Sequence, residues 1–96
     1  MIMTNVRVAQ DATVYRDSPF TLLFTVHCED AKLPVAIVGG AGRALVNSIK
    51  AGDLVHIDGE IMKGDRVGIN HTYIFAVERI TLAGKAALGR NLNMYA

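Results

Sequence analysis

The sequence predicts an all-β fold: a small closed barrel of five strands with one short helix between the third and the fourth. Three observations carry that expectation. Apolar and polar residues alternate with a period of two over residues 20–28 and again over 54–61. The stretch 33–61, LPVAIVGGAGRALVNSIKAGDLVHIDGEI, holds a strand, a short helix and a second strand punctuated by glycines. The 96 residues contain no linker, repeat or low-complexity tract, so one domain is expected over 1–96, with its core over about 5–84 and a tail over 85–96.

Taken in order, residues 5–16 place Val6, Val8, Ala12 and Val14 in one phase and Arg7, Thr13 and Tyr15 in the other, which predicts a long, bent first strand. Arg16-Asp17-Ser18-Pro19 is a turn cluster, since proline lacks the N–H that a central ladder position needs. Over 20–28, Phe20, Leu22, Phe24, Val26 and Cys28 fill one face, and Thr21, Leu23, Thr25 and His27 the other. The first two strands should therefore pair as an antiparallel hairpin, with Phe20 and Phe24 in the core. A brief polar connection over 29–32 leads to a third strand over 33–38, ended by Gly39 and Gly40.

A helix fits 42–50, with Ala41, Ala44, Leu45, Ser48 and Ile49 on one face and Arg43 on a solvated one. Lys50 suits its C-terminal end, and Gly52 suits the left-handed residue that closes it. The fourth strand, 54–61, turns Val55, Ile57, Gly59 and Ile61 inward, and a glycine inside a strand marks a bulge or a sharp bend. A flexible hairpin loop over 62–71, marked by Gly64 and Gly68, precedes a last strand over 72–82 with apolar residues on both faces and its inward phase open. The tail after Gly84 has no regular pattern.

A hydrophobic fraction of 51% with 20% charged residues describes an ordinary globular protein, not a disordered one. No apolar run reaches membrane-span length and no signal-peptide pattern opens the chain, so a cytoplasmic protein without a membrane partner is expected. The lone Cys28 agrees with a reducing compartment. A net charge of +1 gives no global signal of a polyanionic partner. Charge is nevertheless uneven: Lys63 and Arg66 share a loop with the single acid Asp65, and residues 84–96 carry Lys85 and Arg90 and no acid.

Three strands, a helix and two further strands are the connectivity of the OB-fold, a Greek-key barrel that commonly binds single strands of nucleic acid. Closure removes exposed strand edges, which lets so short a chain be mostly sheet.

The run PVAIVGG, the helix ALVNSIKAGD, the strand VHIDGEI and the segment FAVERITLAG resemble, in order and spacing, the bacterial single-stranded DNA-binding proteins over about residues 5–84. Through Pro34, Val35, Gly40, Ser48, Ile49, Gly52, Val55, Gly59 and Ile61, the central stretch is most similar to the primosomal members of that group. The resemblance implies a homo-oligomeric OB-fold, a dimer in the first instance or else a tetramer, that binds single-stranded DNA with little sequence preference. It implies DNA contacts at Lys63 and Arg66, in the loop between strands four and five, and on an outer face at Arg7, Tyr15, Arg16 and Tyr73. Cations would track phosphates and aromatic rings would stack on bases.

Three departures qualify the role. There is no tryptophan for stacking, so tyrosine or phenylalanine must substitute; the connection after Cys28 is short, with Lys32 the one cation it offers as a DNA contact; and the tail, ending NLNMYA, lacks an acidic partner-recruiting extension. The last point favours an accessory role beside replication or recombination proteins over general coating of the genome.

Each signal has a plainer reading. Lys63 and Arg66 also suit a solvated loop tip, while Tyr15 and Tyr73 suit a subunit contact as well as base stacking. His27, Cys28, Glu29 and Asp30 look reactive, but consecutive strand residues point to opposite faces. The histidines and the cysteine do not follow zinc-ligand spacing, and neither metal nor cofactor is expected. Gly39-Gly40-Ala41-Gly42 resembles half of a dinucleotide fingerprint, yet Leu45 occupies the third small position. The expected function is thus non-enzymatic, sequence-independent binding of single-stranded DNA. The alternative is an OB-fold interaction or assembly module that has lost its grip on DNA.

Overall fold

The computed structural model describes residues 1–84 and the backbone of residues 92–95; Lys85 and Arg90 lie outside the described residues. Strands β1 (Ile2–Asp17), β2 (Phe20–Cys28) and β3 (Ala31–Val38) form an antiparallel meander followed by a helix, α1 (Gly40–Ala44). Strands β4 (Leu54–Lys63) and β5 (Tyr73–Gly84) form a second hairpin, and β6 (Leu92–Tyr95) pairs with β5 from Arg79 to Leu82. The sheet order is β3-β2-β1-β4-β5-β6. A parallel pairing of β3 with β5, Val35 opposite Phe75 and Ala36 opposite Ala76, closes the first five strands into an OB-fold-like barrel. The tail thus supplies a sixth strand where the sequence has no regular pattern.

The first strand bends as expected because it serves two partners: Ile2 to Arg7 pairs with β4, and Val8 to Asp17 with β2. Asn5, at φ 52, lies within the register shift between Met3 and Val6. Extra residues in β1 also interrupt its pairing with β2, so strict alternation fails there. Val14, expected inward, is 44% exposed. In β2, Phe20, Leu22, Phe24 and Val26 are buried as the alternation requires.

The helix is five residues long instead of running over 42–50. The chain beyond it finds hydrogen-bond partners in β1: Ala12 donates to the Ile49 carbonyl at 3.0 Å, Gly52 donates to Val8 at 2.8 Å, and Val8 donates to Asp53 at 2.8 Å. The Asp11 carboxylate also accepts from the Ala51 N–H at 2.8 Å. These bonds replace continued helix without losing the apolar face, since Ala41, Leu45 and Ile49 remain buried while Ala44 is exposed. Full burial of a side chain such as Leu45 or Ile49 contributes roughly 1.5–3 kcal/mol. Gly52 has the expected positive φ, 92°. Arg43 is not merely solvated, as its guanidinium lies 4.5 Å from the centre of the Phe20 ring.

Gly59 marks an irregularity as expected, but the extra residue is on the partner strand: Asp58 faces Arg79 while Gly59 faces Val77, leaving Glu78 unmatched. A Cβ at Gly59 would collide with the Ala76 carbonyl, so the close approach of β5 requires glycine. The same bulge explains why the phase of β5 could not be fixed from its sequence. Phe75 and Val77 are buried before it, and Ile80 and Leu82 after it. Ile61, expected inward, is 45% exposed although its partner on β5, Phe75, is buried in the core.

Candidate nucleic-acid interface

The loop between β4 and β5 is built, not slack. Residues Gly64–Val67 form a single 3-10 turn, and Gly68 follows at φ 71. Its backbone closes on itself: Gly64 donates to Thr72 at 3.2 Å, Ile69 to Gly64 at 2.8 Å, and His71 to Ile69 at 2.9 Å. Ile69 is 2% exposed and joins Ala36 and Ile74 in a second apolar cluster, against which Leu23, Met62, Val67 and Ala76 pack. This cluster lies on the outer side of β2, β3 and β5, across the sheet from Phe24, Val35 and Phe75 in the main core. The loop therefore folds back and covers outer barrel surface. Nothing in the local periodicity reports this; the signal is the pair Val67 and Ile69 in an otherwise polar segment.

Two residues expected to touch DNA hold this loop down. The Arg16 guanidinium donates to the Val67 carbonyl at 2.5 Å and the Gly68 carbonyl at 3.2 Å, while its Nε donates to the Thr21 hydroxyl at 3.2 Å. Thr21 is fully buried and donates in turn to the Pro19 carbonyl at 3.0 Å. The Tyr15 hydroxyl accepts from the Asn70 N–H at 2.8 Å. The end of β1 is thus fastened to both halves of the loop. Three of the five N–H donors of Arg16 are engaged in this way.

The other expected contacts do not converge on one spot. Lys63 and Tyr73 lie together, facing each other across the hairpin, and Arg66 belongs to the 3-10 turn that follows Lys63. Lys63 and Arg66 are exposed, and among the described residues neither enters an ion pair. Arg7 faces Leu54, nearly the whole of β4 away from Lys63, and donates to the Gly52 carbonyl at 2.7 Å. Lys32 lies not in a loop but within β3, opposite His27 in a tight hairpin with Glu29 at φ 55.

Two open grooves flank His71. One, of about 380 Å³, is lined by Lys63, Asp65, Ile69, Asn70, His71 and Thr72. The other, of about 360 Å³, runs over β1 and β2 beside Gln10, Asp11, Thr13, Leu23, Thr25 and His71. The second has no lysine or arginine in its lining and one carboxylate, a poor field for a phosphate backbone. The first groove holds one lysine, Lys63, and one carboxylate, Asp65. No described helix is long and apolar enough to cross a membrane, and no described group of three or more His, Cys, Asp or Glu is placed to hold a metal ion. No protein-family model, curated protein or solved structure matches the chain.

Proposed function

We propose that this barrel binds single-stranded DNA without sequence preference, as an accessory to replication or recombination such as a primosome component, and that it works as a homodimer rather than as an enzyme. The observation that carries this reading is the pair Lys63 and Arg66, exposed and free of acid partners among the described residues, on a loop fixed by Arg16, Tyr15 and Ile69. A fixed loop presents cations to phosphates without the entropy of ordering on binding. In OB-folds this loop and the neighbouring end of the first hairpin are where oligonucleotides bind. Titrating the full chain with single-stranded and duplex oligonucleotides of one sequence tests the reading: the single strand binds more tightly and its affinity falls with salt.

A second reading, an interaction or assembly module, draws on the net charge of +1 and the cation-free groove over β1 and β2. It predicts no salt-dependent binding to either oligonucleotide and a tight protein partner.

A further inference from the structure

The β4–β5 hairpin has one sealed face and one bare face. On the sealed side, Met62 and Ile74 face each other and are covered by Ile69 and Val67 of the loop. Side chains alternate along a strand, so Ile61 and Lys63 on β4, and Tyr73 and Phe75 on β5, point to the other side. Phe75 is fully buried, whereas Ile61 is 45% and Tyr73 53% exposed. The row that fills the barrel thus continues out of it into water. Ile61 pairs with Phe75 and Lys63 with Tyr73, which makes Ile61 and Tyr73 diagonal neighbours, within reach of each other for an aromatic side chain.

We infer that a single strand of nucleic acid crosses this bare face, stacking a base on Tyr73 against Ile61 with Lys63 at the adjoining phosphate, and that it does not run along the outer face of β2 and β3. The inference rests on the single-strand reading above. Three observations select this occupant. On the outer face the loop covers the patch at Ala36 and Ile74, and the groove left open over β1 and β2 has no lysine or arginine in its lining. The bare face pairs an exposed aromatic ring with a lysine on the facing strand, while Glu60, the neighbouring acid on β4, points to the opposite side. A stacking ring with a cation at its edge takes an unpaired base and its phosphate, whereas a duplex keeps its base faces stacked inside.

The experiment is fluorescence anisotropy of a labelled oligothymidylate with the full chain and the variants Y73A, Y73F, I61T and T25K, their fold checked by circular dichroism. Y73A loses affinity by about ten-fold or more, Y73F stays within about two-fold of wild type, and I61T falls between them. T25K adds a cation to the groove over β1 and β2 and leaves both affinity and salt slope unchanged. The inference is overturned, with the single-strand reading intact, when wild type binds, Y73A and I61T bind equally well, and T25K tightens binding. Binding by no form of the folded protein overturns both. A change in subunit stoichiometry on Y73A with unchanged DNA affinity assigns the face to a second copy of the chain and overturns the inference alone.

Discussion

Arg16 and Val67 are 51 residues apart in sequence and joined by a 2.5 Å hydrogen bond from guanidinium to carbonyl. That contact, with its companion to Gly68, ties the end of β1 to the loop after β4, beside the segments that border the binding surface of an OB-fold. Arg16 is therefore a positioning residue. Replacing it with alanine removes charge-assisted bonds to the Val67 and Gly68 carbonyls, costing about 1–3 kcal/mol in urea unfolding. Single-strand affinity falls with the loop's order, but the slope of log affinity against log salt stays that of wild type, because this guanidinium serves carbonyls and not phosphates. A shallower slope would make Arg16 a phosphate contact.

The double change of Lys63 and Arg66 to alanine behaves in the opposite way. Stability is retained, since both side chains are exposed and unpaired among the described residues. The salt slope becomes shallower by about 0.7 for each cation that had neutralised a phosphate. Salt titrations of the variant and wild type on one oligonucleotide check this.

Ile69→Ala empties the middle of the second apolar cluster. Loss of a buried isoleucine side chain costs roughly 2–5 kcal/mol, towards the lower end where a surface loop can settle into the space. Hydrogen exchange gives the sharper readout: the amides of Ile69 and His71, bonded within the loop at 2.8 and 2.9 Å, exchange faster while those of Leu22 and Val35 stay protected.

Gly59→Ala strikes the barrel itself. A methyl group there meets the backbone carbonyl of Ala76, which cannot move without opening the bulge at Glu78. A destabilisation of at least about 2 kcal/mol is expected in urea titration. Wild-type stability would mean that β5 does not cross so closely.

Much of the barrel is legible in the chain because β2 and the first part of β4 keep strict alternation, and because glycines stand where the backbone turns. Gly59 is the best case, readable from its place inside a period-two run. Legibility ends where the period breaks. The inward phase of β5 breaks at Glu78, since a bulge reverses the side to which the following residues point, whereas Val14 stands opposite the buried Leu22 and is nevertheless exposed. The short helix ends where β1 supplies competing hydrogen bonds to residues 49–53, a tertiary effect absent from local propensity. In the candidate site, residue type and position point to Lys63, Arg66 and Tyr73, and the structure shows all three exposed, with Lys63 opposite Tyr73. The bonds of Arg16 and Tyr15 to the loop are not legible there, because a cation and an aromatic ring look alike to a sequence whether or not they also meet a carbonyl and an N–H more than fifty residues away.

The most direct measurement is the affinity of the full chain for a labelled single strand and for a duplex of the same sequence, by anisotropy at low and moderate salt. Binding that prefers the single strand and weakens as salt rises is the predicted result. Equal affinity for both forms, or no binding by a folded protein at low salt, would contradict the account and leave the barrel an interaction module.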